Sequence, residues 1–214
     1  MHPNPAFRNE PEILHLNLVR VRSFGMLIVP GDDTLPMISH IPYVLAEDCL
    51  SVDLHLVRSN PIFRATTTPR PAMLVVNGPD GYVSPDWYDD PTHSQVPTWN
   101  YVVVHLSGQL EPRPEDSLRA HLDQLSAEFE QRLAPKRPWL ADKMPPEKLT
   151  SMMRSIGVFR FRIEAIDGTW KLNQNKVQAH REGAATHIKA SSIGHETDEL
   201  SLLIRGIGPT KPVA

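Results

Sequence analysis

The chain has 214 residues, of which 40% are hydrophobic and 22% charged, with a net charge of -3 and one cysteine. That length suits one large domain, or one domain with an appendage, and the acidic balance argues against an open electrostatic grip on nucleic acid. No apolar run reaches the roughly 20 residues of a membrane span, the first five residues lack a signal-peptide pattern, and Cys49 alone cannot close an internal disulfide, so the cytoplasm is the expected compartment.

In chain order, Asn9 with Glu12 three residues later reads as a capping box that opens a helix through about Arg22. Phe24 to Val29 and Pro36 to Ile41 read as two antiparallel strands around a Gly31-Asp32-Asp33 turn. Leu50 to Val57 alternates, with Leu50, Val52, Leu54 and Leu56 on one face and His55 on the other. Ala72 to Val76 is a fourth strand, expected to end at Asn77-Gly78, where an aromatic loop begins. Tyr101 to Leu110 is a long fifth strand.

Leu118, Leu122, Leu125, Phe129 and Leu133 then recur at helical spacing until Pro135 stops the pattern. Val158 to Ile166 alternates again and is expected to form a final hairpin through Asp167-Gly168 into Trp170-Lys171-Leu172. Residues 175–190 and 196–205 are helical candidates, the second with Thr197 as its cap, and the tail from Gly206 is expected to fray. The 21 prolines are scattered through strands and loops alike, as in short strands joined by rigid turns. The fold class is mainly β with helices, a small barrel decorated by helices.

The segment from Gly78 to Gly108 concentrates aromatic side chains: Tyr82, Trp87, Tyr88, Trp99 and Tyr101 lie among prolines and glycines. Rigidly mounted rings suit a planar ligand or a subunit interface. Dinucleotide, phosphate-loop and nucleophile-elbow motifs are absent. His40, His55 and His105 lie on or beside strands without metal-ligand spacing, so no metal is expected. Nothing near Cys49 suggests a depressed thiol pKa. Arg58-Ser59-Asn60-Pro61 offers a cation, a hydroxyl and an amide at a strand end, fit either for a phosphate or for a turn with a solvated arginine. Residues 171–176, KLNQNK, could bind polar ligand groups or cap the next helix.

GPDGYVSPDWY followed by VPTWNYVVVHLSG resembles the signature of the PaiB family, described as FMN-binding negative transcriptional regulators. FGMLIV with HIP, LHLVRSNP and KLNQNK resemble further family segments in the same order, so the similarity spans roughly residues 5 to 205. The resemblance implies a single FMN-binding split β-barrel domain over 1–214, with a helical insertion at about 113–152 and a helical C-terminal segment at about 175–205. It also implies a homodimer with flavin at the subunit interface.

Carried over by segment, the phosphate role falls to Ser39, His40, His55, Arg58 and Asn60. Ring or ribityl contacts fall to Tyr82, Ser84, Trp87, Trp99 and Asn100, while Lys171, Gln174 and Asn175 come from the C-terminal motif, in one arrangement from the other subunit. The implied function is regulation or ligand sensing. The alternatives are a flavin-dependent oxidoreductase or haem-handling protein, and a structural dimer without cofactor. The last is raised by Leu54 and Val57, which stand where the family usually has glycine and alanine. The charge balance and the lack of a helix-turn-helix pattern weigh against direct DNA binding.

Overall fold

Burial along the strands follows the alternation in the sequence. In the computed structural model, which describes residues 2–31, 35–89, 92 and 94–208, β1 (Phe24–Val29) buries Leu27 and Val29, β2 (Met37–Leu45) buries Ile41 and Tyr43, and β3 (Ser51–Val57) buries Val52, Leu54 and Leu56. Three long strands follow: β4 (Arg70–Val83), β5 (Thr98–Pro112) and β6 (Ile156–Lys171). The two-residue β7 (Gly194–His195) pairs with β4 at Asp80 and Gly81. Strand order is β1-β2-β3-β6-β5-β4-β7, and β4 pairs back onto β1, so six antiparallel strands close into a barrel. The helices are α1 (Glu12–Arg22), α2 (Pro61–Ala65), α3 (Leu118–Gln131), α4 (Pro146–Met153), α5 (Gln178–Lys189) and α6 (Thr197–Ile204).

Within the described residues the chain forms two compact units, one of residues 2–21, 76–104 and 167–208, the other of 22–75 and 105–166. The first has a core of Leu18, Val19, Val83, Tyr88, Trp170, Ile188 and Leu200, among others. The second is built on Leu27, Tyr43, Leu54, Leu74, Leu106, Phe159 and Phe161. Register in the second unit sets Val52 opposite Phe161 and Leu54 opposite Phe159, while Asp53 faces Arg160 on the other side of the same pair of strands. α3 buries Leu118, His121 and Leu125, one helical stripe.

Several expectations are corrected. α1 begins at Glu12, with the Leu14 amide donating to the Pro11 carbonyl at 2.9 Å, because proline is preorganised for a first turn; Asn9 stays outside. β4 runs on through Asn77-Gly78-Pro79-Asp80-Gly81 to Val83, so the first part of the aromatic segment is strand and not loop. Gly78 belongs in that strand because a Cβ there would come within 2.9 Å of the Val102 side chain. Asp167-Gly168 is likewise no hairpin, since β6 passes straight through it.

Leu50 lies before β3 and is 66% exposed. Leu133 lies beyond the end of α3 and is exposed too. Thr197 is the first residue of α6 and not its cap; Glu196 takes the cap position in the left-handed region with φ 52°, and Asp198 and Glu199 supply negative charge to the first turn. Asp32 and Asp33 of the predicted turn, and residues 209–214 of the tail, lie outside the described residues.

Candidate functional site

In the second unit, β2 and the start of α2 bring part of the predicted set together. Asn60 caps α2, its Oδ1 accepting from the Ile62 amide at 2.9 Å, and its Nδ2 donates to Ser39 Oγ at 3.1 Å. The Ser39 hydroxyl keeps its own proton for another acceptor. His40 is exposed and stacks on Phe24, the ring centroids 6.4 Å apart. Arg58 donates from Nε to the Arg154 carbonyl at 2.9 Å and from Nη2 to Glu115 Oε1 at 2.6 Å, with its guanidinium 5.3 Å from the Phe63 ring centre. Glu115 is 81% exposed, so this ion pair is weak and leaves the cation open to a stronger anion.

His55 is committed elsewhere. Its Nδ1 lies 3.1 Å from Nε2 of His121 on α3, and it makes no hydrogen bond to Ser39, His40, Arg58 or Asn60. Burial lowers the pKa of His55, and burial reinforced by the neighbouring His55 pushes that of His121 down to about 4. Both rings are therefore neutral near pH 7, one donating and the other accepting. His121 Nδ1 is buried without a partner. Close to this pair, Asp53 accepts from Arg160 at 2.8 and 2.9 Å and from Arg113 at 2.7 Å. Burial alone would raise the Asp53 carboxyl, but the Arg160 hydrogen bonds and the two arginine charges hold it below its ordinary value.

In the first unit the aromatic residues converge. Tyr82 on β4 meets Trp87 and Trp99 edge-on, with centroids 6.2 and 6.5 Å away, and Trp87 stacks on His187 of α5 at 5.7 Å. Ser84 opens the 3-10 turn Pro85–Tyr88, its Oγ accepting from the Asp86 amide at 3.4 Å. Trp99 is 46% exposed, while its neighbour Asn100 is wholly buried with neither side-chain amide atom bonded.

Lys171 donates to the Thr98 hydroxyl, and Lys176 donates to Gln95 with its ammonium 5.4 Å from the Tyr88 ring centre. Gln174 folds back on the end of β6, accepting from the Leu172 amide at 2.8 Å and donating to the Trp170 carbonyl; Asn175 is exposed. Asn173 has φ 61°, and its Oδ1 accepts from the Tyr88 hydroxyl at 3.2 Å. Sequence reasoning passed over His121, although a histidine three residues after Leu118 on the apolar stripe was a visible signal. Thr98 and Gln95 gave none, because their role appears only when β5 and the end of β6 are brought together.

Residues 1–165 match the family described as "Putative FMN-binding domain". Over 162 residues the chain is 30% identical to protease synthase and sporulation protein PAI 2 of Bacillus subtilis, with 75% of each chain covered. The chain belongs to the PaiB family. An uncharacterised protein of Aspergillus fumigatus is 27% identical over 190 residues, covering 68% of this chain and 73% of its own. Among solved structures, the FAD and heme binding protein of Mycobacterium smegmatis matches with a TM-score of 0.55 at 17% identity, covering 87% of this chain and 80% of that one. A conserved hypothetical protein of Mycobacterium tuberculosis matches at 0.53 and 12% identity, covering 80% and 91%. These likenesses show the split β-barrel fold.

Membership in the PaiB family makes FMN the cofactor, and the residues present fit its chemistry. An uncommitted hydroxyl on Ser39, the exposed imidazole of His40 and a weakly paired guanidinium on Arg58 are donors suited to a phosphate. The Tyr82, Trp87 and Trp99 rings suit a flat heterocycle. Bound FMN supplies a redox-active ring, while the protein supplies position and exclusion of water. Leu54, where the resemblance leads to the expectation of glycine, is fully buried in the core opposite Phe159, so its bulk is turned away from solvent; Val57 is exposed.

Proposed function

We propose that this PaiB-family chain is a cytoplasmic, flavin-responsive regulatory or ligand-sensing homodimer that acts without gripping DNA itself. The observation that carries the reading is the aromatic corner of Tyr82, Trp87 and Trp99, in which rings are fixed edge to face and Trp99 keeps an open surface. Fixed aromatic surface lowers the ordering cost of binding a flat ligand. In this reading Ser39, His40, Arg58 and Asn60 serve the phosphate, and Tyr82, Ser84, Trp87 and Trp99 serve the ring and ribityl chain. His55, bonded to His121, is a positioning residue for α3. The outer face of β1 and β2 supports pairing of two copies: Phe24 and Ile38 are each 53% exposed, and register sets Phe24 opposite Pro42 and Ile28 opposite Ile38.

Titration of the purified chain with FMN tests the proposal. Saturable binding is expected, weakened at least tenfold in Trp99→Ala with an unchanged circular dichroism spectrum. Absence of saturable binding would remove the flavin reading. Bound flavin that reduced nicotinamides reduce with turnover would replace sensing by oxidoreductase activity.

A further inference from the structure

β7 is two residues long, and the backbone on both sides of its His195 has positive φ, 137° at Gly194 and 52° at Glu196. Gly194 admits no side chain, since a Cβ there would come within 2.3 Å of the Asp80 carbonyl oxygen. Sparsely populated backbone conformations persist where the surroundings over-determine them, and they cluster at binding sites. Register sets His195 opposite Asp80 and Gly194 opposite Gly81, and the Tyr82 amide donates to the Ile193 carbonyl at 3.1 Å. The result is an imidazole fixed against a carboxylate: His195 Nδ1 lies 3.1 and 3.3 Å from the two Asp80 oxygens.

A carboxylate only accepts, so Nδ1 carries the hydrogen, and Nε2 of the neutral ring keeps its lone pair. The His195 side chain is 85% exposed and that of Asp80 31%, so the pair adds little to stability, and among the described residues Nε2 has no partner. This acceptor lies beside the aromatic corner. A Cβ on Gly81 would meet Ile188 of α5 and Leu200 of α6, so Gly81 faces those helices while Asp80 and Tyr82 face the other side of β4. Asp80 and Tyr82 are therefore neighbours about 7 Å apart on one face, and Tyr82 lies diagonal to His195 across the strand pair, a separation within reach of aromatic side chains. Tyr82 in turn meets Trp87 and Trp99 edge-on. Three rings and one oriented hydrogen-bond acceptor thus share a single surface of the first unit.

We propose that His195, oriented by Asp80, determines the specificity of the aromatic corner by accepting a hydrogen bond from a ring N–H at the edge of a flat heterocycle, such as the imide N–H of the flavin pyrimidine ring. This role rests on the flavin reading above and adds to it a chemical class of ligand, a planar ring with an imide or amide donor at its edge. Stacking alone tolerates any flat molecule, whereas an oriented acceptor discriminates against a ring that offers no donor at that place. His195 lies beyond residues 1–165, the part matched by the FMN-binding family, so the family match does not assign it.

Fluorescence titration of the full-length chain with FMN, and with FMN methylated at the imide nitrogen, is the test. The natural chain is expected to bind the methylated compound about tenfold more weakly, as one lost hydrogen bond would give. His195→Leu should bind both compounds alike and Asp80→Leu should narrow the difference, each with the circular dichroism spectrum of the natural chain. Equal affinity for the two compounds in the natural chain, a comparison that needs no variant, overturns the role of His195 and leaves the flavin reading standing. A preference for FMN that His195→Leu keeps also overturns it, because the methyl group is then excluded by shape. Absence of FMN binding removes the flavin reading and the role of His195 with it.

Discussion

Gly168 shows how a single missing side chain holds an arrangement together. A Cβ at this position would lie 2.3 Å from Cε1 and 2.6 Å from both nitrogens of the His15 imidazole. That ring cannot swing away cheaply: it is 6% exposed, and its Nδ1 accepts from Trp170 Nε1 at 2.9 Å. Burial lowers the His15 pKa, which keeps Nδ1 unprotonated and able to accept. Gly168→Ala is therefore expected to destabilise the fold by about 1–3 kcal/mol through overpacking, read as a lower urea midpoint with tryptophan fluorescence as the probe. An unchanged midpoint would mean that α1 and β6 separate at little cost. The sequence pair Asp167-Gly168 suggested a turn because glycine after aspartate so often supplies one, and only the packed imidazole distinguishes a glycine needed for closeness from a glycine needed for bending.

At the scale of elements, the joint between β3 and α3 turns on the His55 and His121 pair. The folded pKa of His121 is about 4, against an ordinary 6.5. Between those values the unfolded chain binds the proton more readily, so this contribution to stability is complete above about pH 6.5 and is lost as the pH falls toward 4; the shift corresponds to roughly 3 kcal/mol. The lowered His55 pKa acts in the same direction, and the lowered Asp53 carboxyl adds a loss only below its ordinary value of 3.8. Urea unfolding free energies measured from pH 7 to pH 4 should decline steeply in the natural chain and more gently in His121→Gln; parallel slopes would show that another group dominates. The elements themselves were largely legible, since β1 has the predicted bounds and α3 follows the leucine spacing. What escaped was the length of β4 and β6, because Gly78, Pro79 and Gly168 are breakers in local statistics but are tolerated where long strands are fixed by packing. In the candidate site the aromatic corner was visible in composition, whereas the commitment of His55 to α3 was not.

For the molecule as a whole, pairing of two copies has the widest consequences. Phe24 and Ile38 point outward from adjacent strands, and each leaves about half of its surface exposed in a single copy. Since neither is part of the buried core, replacing both by aspartate should leave the single chain folded while placing charges where a second copy would have to desolvate them. Sedimentation velocity is expected to show the natural chain at twice its 24.1 kDa mass and the Phe24→Asp, Ile38→Asp double variant at the single mass, with matching circular dichroism. A natural chain that sediments as one copy removes the dimer, and a double variant that stays paired moves the interface away from β1 and β2. FMN affinity measured on the natural chain across a dilution series from paired to single copies extends this prediction to the flavin site. If affinity falls together with dimerisation, the second copy contributes to the flavin site. If affinity per chain is unchanged, each copy holds its flavin alone, and pairing serves whatever response the flavin triggers.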